Sequence, residues 1–330
     1  MPRRVLVWGG AGFIGGALLP ALLEIGDSVT VLSRKDLYGL GRRYPQLRVL
    51  ETGFSMDSNA KAVLRESVRN AEVVFNVSGS SGAVSSNQNP LASLQENCAW
   101  QLEFLNACST AGHPLHIVFA STRLVYGKPR SLPVGEAHPL SPESMYAAHK
   151  LCTEHYHQIY ALQGVITYTI CRISNPYGRD ERGSGKNHGI LNQMIQTALA
   201  HKPLVIFGDG KQVRDYIHIH DLVRALLLCG EQQAAVNEIL NIGSGEGVSL
   251  IDAALQIASI AGAPIASSPW PERYKLVETG DFVNSIAKAR KLLGFVPKLN
   301  FHQGIREAIL GDKSTPDYEE RPRDRSLGRR

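Results

Sequence analysis

The chain has 330 residues, 43% of them hydrophobic, which is enough for one large domain or two smaller ones around a real core. Its formal charge of +5 comes from 35 basic and 30 acidic residues, mostly interspersed, which suits a nucleotide-sized anion and argues against nucleic acid as a partner. Five scattered cysteines (Cys98, Cys108, Cys152, Cys171, Cys229) with no C-x-x-C argue against a disulfide framework and fit a reduced, cytoplasmic protein.

Arg4-Val5-Leu6-Val7-Trp8 has a buried-strand pattern and runs directly into Gly9-Gly10-Ala11-Gly12-Phe13-Ile14-Gly15. An apolar helix to Ile25 follows. The apolar run after Arg3-Arg4 superficially resembles a signal peptide, but glycines at 9, 10, 12, 15 and 16 fit a strand, a tight turn and a helix start instead. No other stretch approaches a membrane span. Gly9 allows the turn, Gly12 lets backbone approach a pyrophosphate, and Gly15 lets helix and strand pack closely; Phe13 and Ile14 open the helix that faces the anion. The next strand, 28–32, ends at Ser33-Arg34-Lys35. Two cations and no acid at that turn favour a ribose 2′-phosphate, hence NADP(H) over NAD.

Further strands at 48–50, 71–77 and 116–120 alternate with helical stretches at 59–69 and 91–111. Such alternation predicts an α/β, doubly wound parallel sheet with ligands outside the carboxyl ends of the strands. The loop 76–82 lies at one such end, so Ser78 is expected beside the cofactor. The strand 116–120 delivers Ser121-Thr122-Arg123-Leu124-Val125-Tyr126-Gly127. A Ser/Pro/Glu start signal at 141–143 then opens a helix continuing through 151–162, which puts Tyr146 and Lys150 on one face. A phenol loses its proton near pH ~10; a neighbouring ammonium favours the phenolate and makes it a usable acid or base.

A sixth strand, 165–173, leads into Ser174-Asn175-Pro176-Tyr177-Gly178-Arg179, where proline and glycine mark the exit from the sheet. The loop 183–189 is glycine-rich and basic, with Lys186 offered to phosphate, and a helix spans 187–202. In the stretch 207–222, Arg214 supplies a guanidinium fork suited to a diphosphate, and Asp221 reads as a helix N-cap. A strand at 238–243 and helices at 249–261 and 285–294 follow. Residues 311–330 read as a solvated, disordered tail. His155-x-His157 and His218-x-His220 lack a carboxylate or cysteine at ligand spacing and read as ordinary histidines, so no metal is expected.

With the glycine loop, Ser-Thr-x-x-Val-Tyr-Gly at 121–127, Tyr-x-x-x-Lys at 146–150, Arg-x-x-Asn-x-Tyr-Gly at 172–178 and the stretch 207–222 in this order, the chain resembles the extended short-chain dehydrogenase/reductase family. It resembles in particular the nucleotide-sugar epimerases, dehydratases and reductases, over residues 4 to about 310. The resemblance implies a Rossmann dinucleotide-binding domain from 1–174 and 212–243, and a smaller C-terminal α/β substrate-binding lobe from 175–211 and 244–310. It also implies a homodimer built on two Rossmann helices, one of them carrying Tyr146. Tyr146 would then be the acid/base, Thr122 its hydroxyl partner and Lys150 the holder of the nicotinamide ribose. Ser121 would be a secondary hydroxyl at the substrate, and Asn175 and Arg214 would meet the nucleotide diphosphate.

Two positions steer the reaction. The sugar 4,6-dehydratases of the family carry Asp-Glu or a close variant immediately after this threonine, and the related decarboxylases keep a Glu at the second place; here Arg123 and Leu124 follow. Leucine transfers no proton, so dehydration is set aside. The resemblance then implies reversible hydride transfer at C4 of a nucleoside-diphosphate sugar. An NADPH-dependent 4-ketosugar reductase would use the same residues, and a non-enzymatic NADP(H)-sensing regulator would use the fold alone. Late in the chain, Ser285 replaces the usual aspartate and Glu278-Thr279 replaces an arginine, for which Arg273 is the candidate substitute.

Overall fold

The computed structural model describes residues 2–34, 39–180 and 189–311; Lys35, Lys186 with most of its loop, and the tail beyond 311 lie outside them. The first half supplies strands β1 (Arg4–Trp8), β2 (Ser28–Ser33), β3 (Arg48–Glu51), β4 (Val73–Asn76), β5 (Leu115–Thr122) and β6 (Ile166–Ile173). The second supplies β7 (Asn175–Tyr177), β8 (Leu204–Phe207), β9 (Val213–His218), β10 (Glu238–Ile242), β11 (Gly247–Ser249) and β12 (Ile265–Ser268). Seven of them form one parallel sheet in the order β10-β6-β5-β4-β1-β2-β3. Every residue of β4 and β5 is buried, as continuous apolar strands covered on both faces must be.

Helices Phe13–Glu24 and Ile219–Cys229 pack on one face, around Leu18, Leu22, Leu222 and Leu226. Ser58–Arg69 and Trp100–Cys108 cover the other, around Leu64 and Phe104. The strand order reverses at β1 and β4, and a parallel sheet opens its ligand crevice at such a reversal. Trp8 stands opposite both Leu32 and Asn76, and Thr122 opposite Ile173. Register therefore brings Gly9, Ser33, Ser78, Thr122 and Asn175 to one edge.

The rest of the second half has its own core, with Tyr177, Met194, Leu204, Tyr216, Ile257 and Ile305 at its centre. There β7, β9 and β11 make a three-stranded sheet and β8 pairs with β12. Because β9 bonds β7 and β11, the chain returns to the large sheet at helix Ile219–Cys229, after the 212 boundary read from the sequence.

Three local expectations shift. The Tyr146 helix runs Met145–Leu162 and is capped by Ser144, whose Oγ accepts the Ala147 N–H at 3.2 Å. Ser141, before a proline and so biased to extended backbone, donates its N–H to Val125 O instead. The single helix expected over 91–111 is Pro90–Leu94 and Trp100–Cys108, joined by a π-helical turn at Gln95–Ala99. Asp221 is not a cap: His218 caps its helix, and the buried Asp221 carboxylate accepts the N–H groups of Lys298 and Leu299 and a bond from Arg224.

Candidate active site

The glycine loop forms a cradle that side chains would fill. A Cβ on Gly15 would collide with Gly9 O and Gly10 Cα, and one on Gly9, at φ +95°, would come within 2.9 Å of the Ser78 backbone. Gly12 N-caps helix Phe13–Glu24 with no side-chain cap bond, and no acid stands in the first turn. Such a helix end presents N–H groups and positive dipole to an anion, so these residues fit a dinucleotide pyrophosphate. Ser78 lies alongside; its Oγ donates to Asn76 Oδ1 at 2.8 Å and accepts from Gln101 Nε2 at 2.9 Å. At the end of β2, Ser33 is buried, and Arg34 pairs with Glu96 of the π-helical turn at 2.7 Å and lies over the Phe54 ring.

Across the crevice, the Thr122 side chain stands by the buried phenol of Tyr146 and favours its ionised form. Thr122 Oγ1 also accepts the Leu124 N–H at 3.2 Å, which holds it at the strand end. The Tyr146 helix is fixed at its start by Tyr146 N–H to Ser86 Oγ and Met145 N–H to Asn87 Oδ1. Its next turn brings Lys150, which is buried with its ammonium 4.3 Å above the Phe119 ring. Burial pushes the Lys150 amine down to about 8, against the pull of Glu154 and Cys98.

Lys150 was expected to lower the Tyr146 phenol. In the chain alone burial dominates and pushes that phenol up to about 12, with the Thr122 side chain opposing. The physical reason is that Lys150, itself desolvated, faces Phe119, and Thr122 is the hydroxyl beside the phenol.

Beneath the pair runs a buried polar chain that the sequence did not disclose. Glu154, one turn beyond Lys150, is gripped by Arg172, with Nη2 to Oε2 at 2.7 Å and Nε 3.2 Å from both oxygens. Arg172 donates to Tyr126 Oη at 3.1 Å, and Tyr126 donates to Asn241 Oδ1 at 2.7 Å. Ser121, expected at the substrate, is buried and gives its hydroxyl to Glu154. It braces the Tyr146 helix against β5 rather than facing the crevice.

On the far side stand two buried guanidinium groups. Arg214 pairs with Glu278 and donates to the carbonyls of Val213 and Gly280 at 2.9 and 2.6 Å. Asn175 is held by Asp215 O at 2.7 Å and receives Arg123 Nε at 3.5 Å. Arg123 also donates to Thr279 Oγ1 at 3.2 Å and lies 4.8 Å from the Phe282 ring centre. Burial and the charge of Arg214 push the Arg123 guanidinium down to about 9. The sequence reading treated Arg123 only as a missing acid. In the fold it supplies the cation at Thr279, whereas Arg273, the expected substitute, lies over Tyr274.

A family model described as "NAD dependent epimerase/dehydratase family" matches residues 5–243. A UDP-glucose 4-epimerase of Azospirillum brasilense is 32% identical, over 94% of this chain and 92% of its own length. A putative UDP-glucose 4-epimerase of Methanocaldococcus jannaschii is 30% identical, over 92% and 97%. Among solved structures, the UDP-glucose 4-epimerase of Thermotoga maritima with UDP-glucose superposes at a TM-score of 0.83 and 26% identity, covering 93% of this chain and 98% of the other. The Thermus thermophilus UDP-glucose 4-epimerase complex with NAD does so at 0.82 and 28%, with the same coverage.

Proposed function

The chain belongs to the NAD dependent epimerase/dehydratase family, and from that premise we propose that it epimerises a UDP-sugar at C4 with a bound nicotinamide dinucleotide. The observation that carries the reading is the buried Tyr146 beside Thr122, one helical turn from Lys150 and at the same sheet edge as the glycine cradle. Tyr146 takes the proton of the C4 hydroxyl and later returns it, while Thr122 orients that oxygen. Lys150 holds the nicotinamide ribose and keeps positive charge near the phenol. The bound dinucleotide supplies the taking of a hydride from C4 and its return. The ketone formed in between turns to present its other face. The relatives include several UDP-glucose 4-epimerases beside two UDP-sugar decarboxylases, whose glutamate the sequence replaces with Leu124, and this favours the epimerase cycle over net 4-keto reduction and over a regulator without turnover.

The test is to incubate the purified chain with UDP-glucose and NAD(P) and follow the C4 epimer by NMR. Epimer formed without net consumption of dinucleotide supports the proposal. Stoichiometric oxidation of NADPH by a 4-keto substrate, with no epimer, would overturn it in favour of the reductase.

At the adenosine 2′ position, the cations of Ser33-Arg34-Lys35 support NADP(H) over NAD. The Arg34–Glu96 pair is exposed, and such pairs are worth about 1 kcal/mol or less, so a 2′-phosphate can displace Glu96. Arg34→Ala is then expected to weaken NADP binding roughly tenfold more than NAD binding, as loss of a charged hydrogen bond does. Equal weakening would assign the site to NAD.

Two buried guanidinium groups offer donor forks suited to a diphosphate, for which Arg123, Arg214 and Asn175 are the proposed contacts. Arg123→Met is expected to raise KM for the nucleotide sugar by roughly ten- to a hundredfold and to change kcat much less. A pure kcat effect would remove Arg123 from the binding site.

Leu91 and Leu94 on one helix and Ile159 and Leu162 on the Tyr146 helix are exposed, and the two helices pack together. We assign this apolar face to a homodimer; a monomer at all concentrations in sedimentation equilibrium would refute it. The five cysteines are free, which supports a reducing, cytoplasmic setting. None of the described helices is long and apolar enough to cross a membrane.

A further inference from the structure

The histidine pair 218/220, read from sequence as lacking a carboxylate, acquires one in the fold. Helix Phe301–Leu310, whose start is set by an Asn300/Gln303 capping box, lays Glu307 against both rings. Gly304 permits the approach: a Cβ there would run into Tyr177 Oη and the His218 ring. His220 Nδ1 lies 3.0 Å from Glu307 Oε1, and His218 Nε2 lies 3.8 Å from Oε2. The two rings stand edge-on, with centroids 4.9 Å apart. One ligand atom from each residue falls within 4.8 Å of the others.

The second observation concerns hydrogen bonding. His218 Nε2 and Glu307 Oε2 are buried atoms without a hydrogen-bond partner, and His220 Nδ1 has only the Glu307 Oε1 contact at 3.0 Å. Leaving such groups unsatisfied in the interior is unfavourable. A shared ligand with open coordination positions removes both deficits at once and engages His220 as well.

We propose that His218, His220 and Glu307 bind a zinc-class divalent ion, with water as fourth ligand, as a structural clamp between the C-terminal helix and the junction of β9 with helix Ile219–Cys229. Two imidazole nitrogens and one carboxylate oxygen suit Zn²⁺ and its neighbours, whereas Mg²⁺ and Ca²⁺ prefer oxygen alone. Zn–N bonds of about 2.0–2.1 Å put tetrahedral ligand atoms roughly 3.4 Å apart. Rotations of the partly exposed His220 and Glu307 side chains close the cluster to that spacing. Ligation replaces the His220 Nδ1 to Glu307 Oε1 contact at 3.0 Å and, by placing the His218 proton on Nδ1, gives up the N-cap bond from the His220 backbone N–H at 3.4 Å.

The experiment uses the full chain, free of any histidine tag and stripped with chelator, titrated calorimetrically with Zn²⁺ and spectroscopically with Co²⁺. One ion per chain, a tetrahedral Co²⁺ spectrum and a rise in Tm reversed by chelator are expected. His220→Ala and Glu307→Gln each weaken binding by about a hundredfold or more, since even outer partners of metal ligands are worth about 10–100-fold. Both variants keep epimerase turnover, and His113→Ala, on an exposed ring, leaves ion binding unchanged. No stoichiometric uptake, or uptake that survives in both variants, overturns the proposal.

Discussion

Tyr146→Phe is expected to lower epimerase turnover by roughly 100- to 10,000-fold, the range over which a positioned acid/base acts. The change removes one oxygen and keeps the ring, and the helix start stays anchored through the backbone N–H of Tyr146 to Ser86 and the Ser144 cap. Tm and dinucleotide affinity should therefore stay near those of the parent chain, because the glycine cradle shares no bond with the phenol. The loss should appear in kcat far more than in KM. Unchanged turnover in this variant would remove Tyr146 from the chemistry and with it the C4 mechanism. Burial pushes the phenol up to about 12 in the chain alone, so its ionisation is expected to accompany binding. The variant and parent should thus differ most once substrate and dinucleotide are both bound.

Arg172→Met is expected to be the most destabilising single change proposed, by about 3–5 kcal/mol, the usual loss when one member of a buried ion pair is removed. Arg172 and Glu154 have side chains only 4% and 2% exposed, so Glu154 would be left as a buried carboxylate with Ser121 as its remaining donor. A drop in Tm on the order of 10 °C follows. The double variant Arg172→Met/Glu154→Gln should recover most of that loss, because no bare carboxylate remains. It carries a second signature. Glu154 raises the proton affinity of Lys150, so removing its charge lowers a value that already stands near 8. Lys150 then sheds its proton at lower pH, and the alkaline limb of the activity profile should move to lower pH while the folded state is restored. A double variant as unstable as Arg172→Met would refute the ion-pair account.

Sequence by itself determined what depends on neighbours in the chain. The strand, glycine turn and helix from Arg4 to Glu24 are contiguous, and apolar runs alternating with amphipathic ones specify a parallel sheet whose register then aligns Gly9, Ser78 and Thr122. Tyr146 and Lys150 share a face because four residues make about one helical turn. Even the departure at Arg123 was visible, although only as the absence of an acid.

What the tertiary structure alone decided is which charge faces which. Glu154 is held by Arg172 from β6, Arg34 by Glu96 from a π-helical turn, Arg214 by Glu278 from a late loop, and His218 with His220 by Glu307 from the last described helix. These partners lie far apart in sequence and carry no periodic signal, because a carboxylate's spacing along the chain says nothing about what packs against it. Packing also set their energetics. The same burial that raises the Tyr146 phenol lowers the Lys150 amine, and no pattern of residue types encodes how much water the folded chain excludes from each.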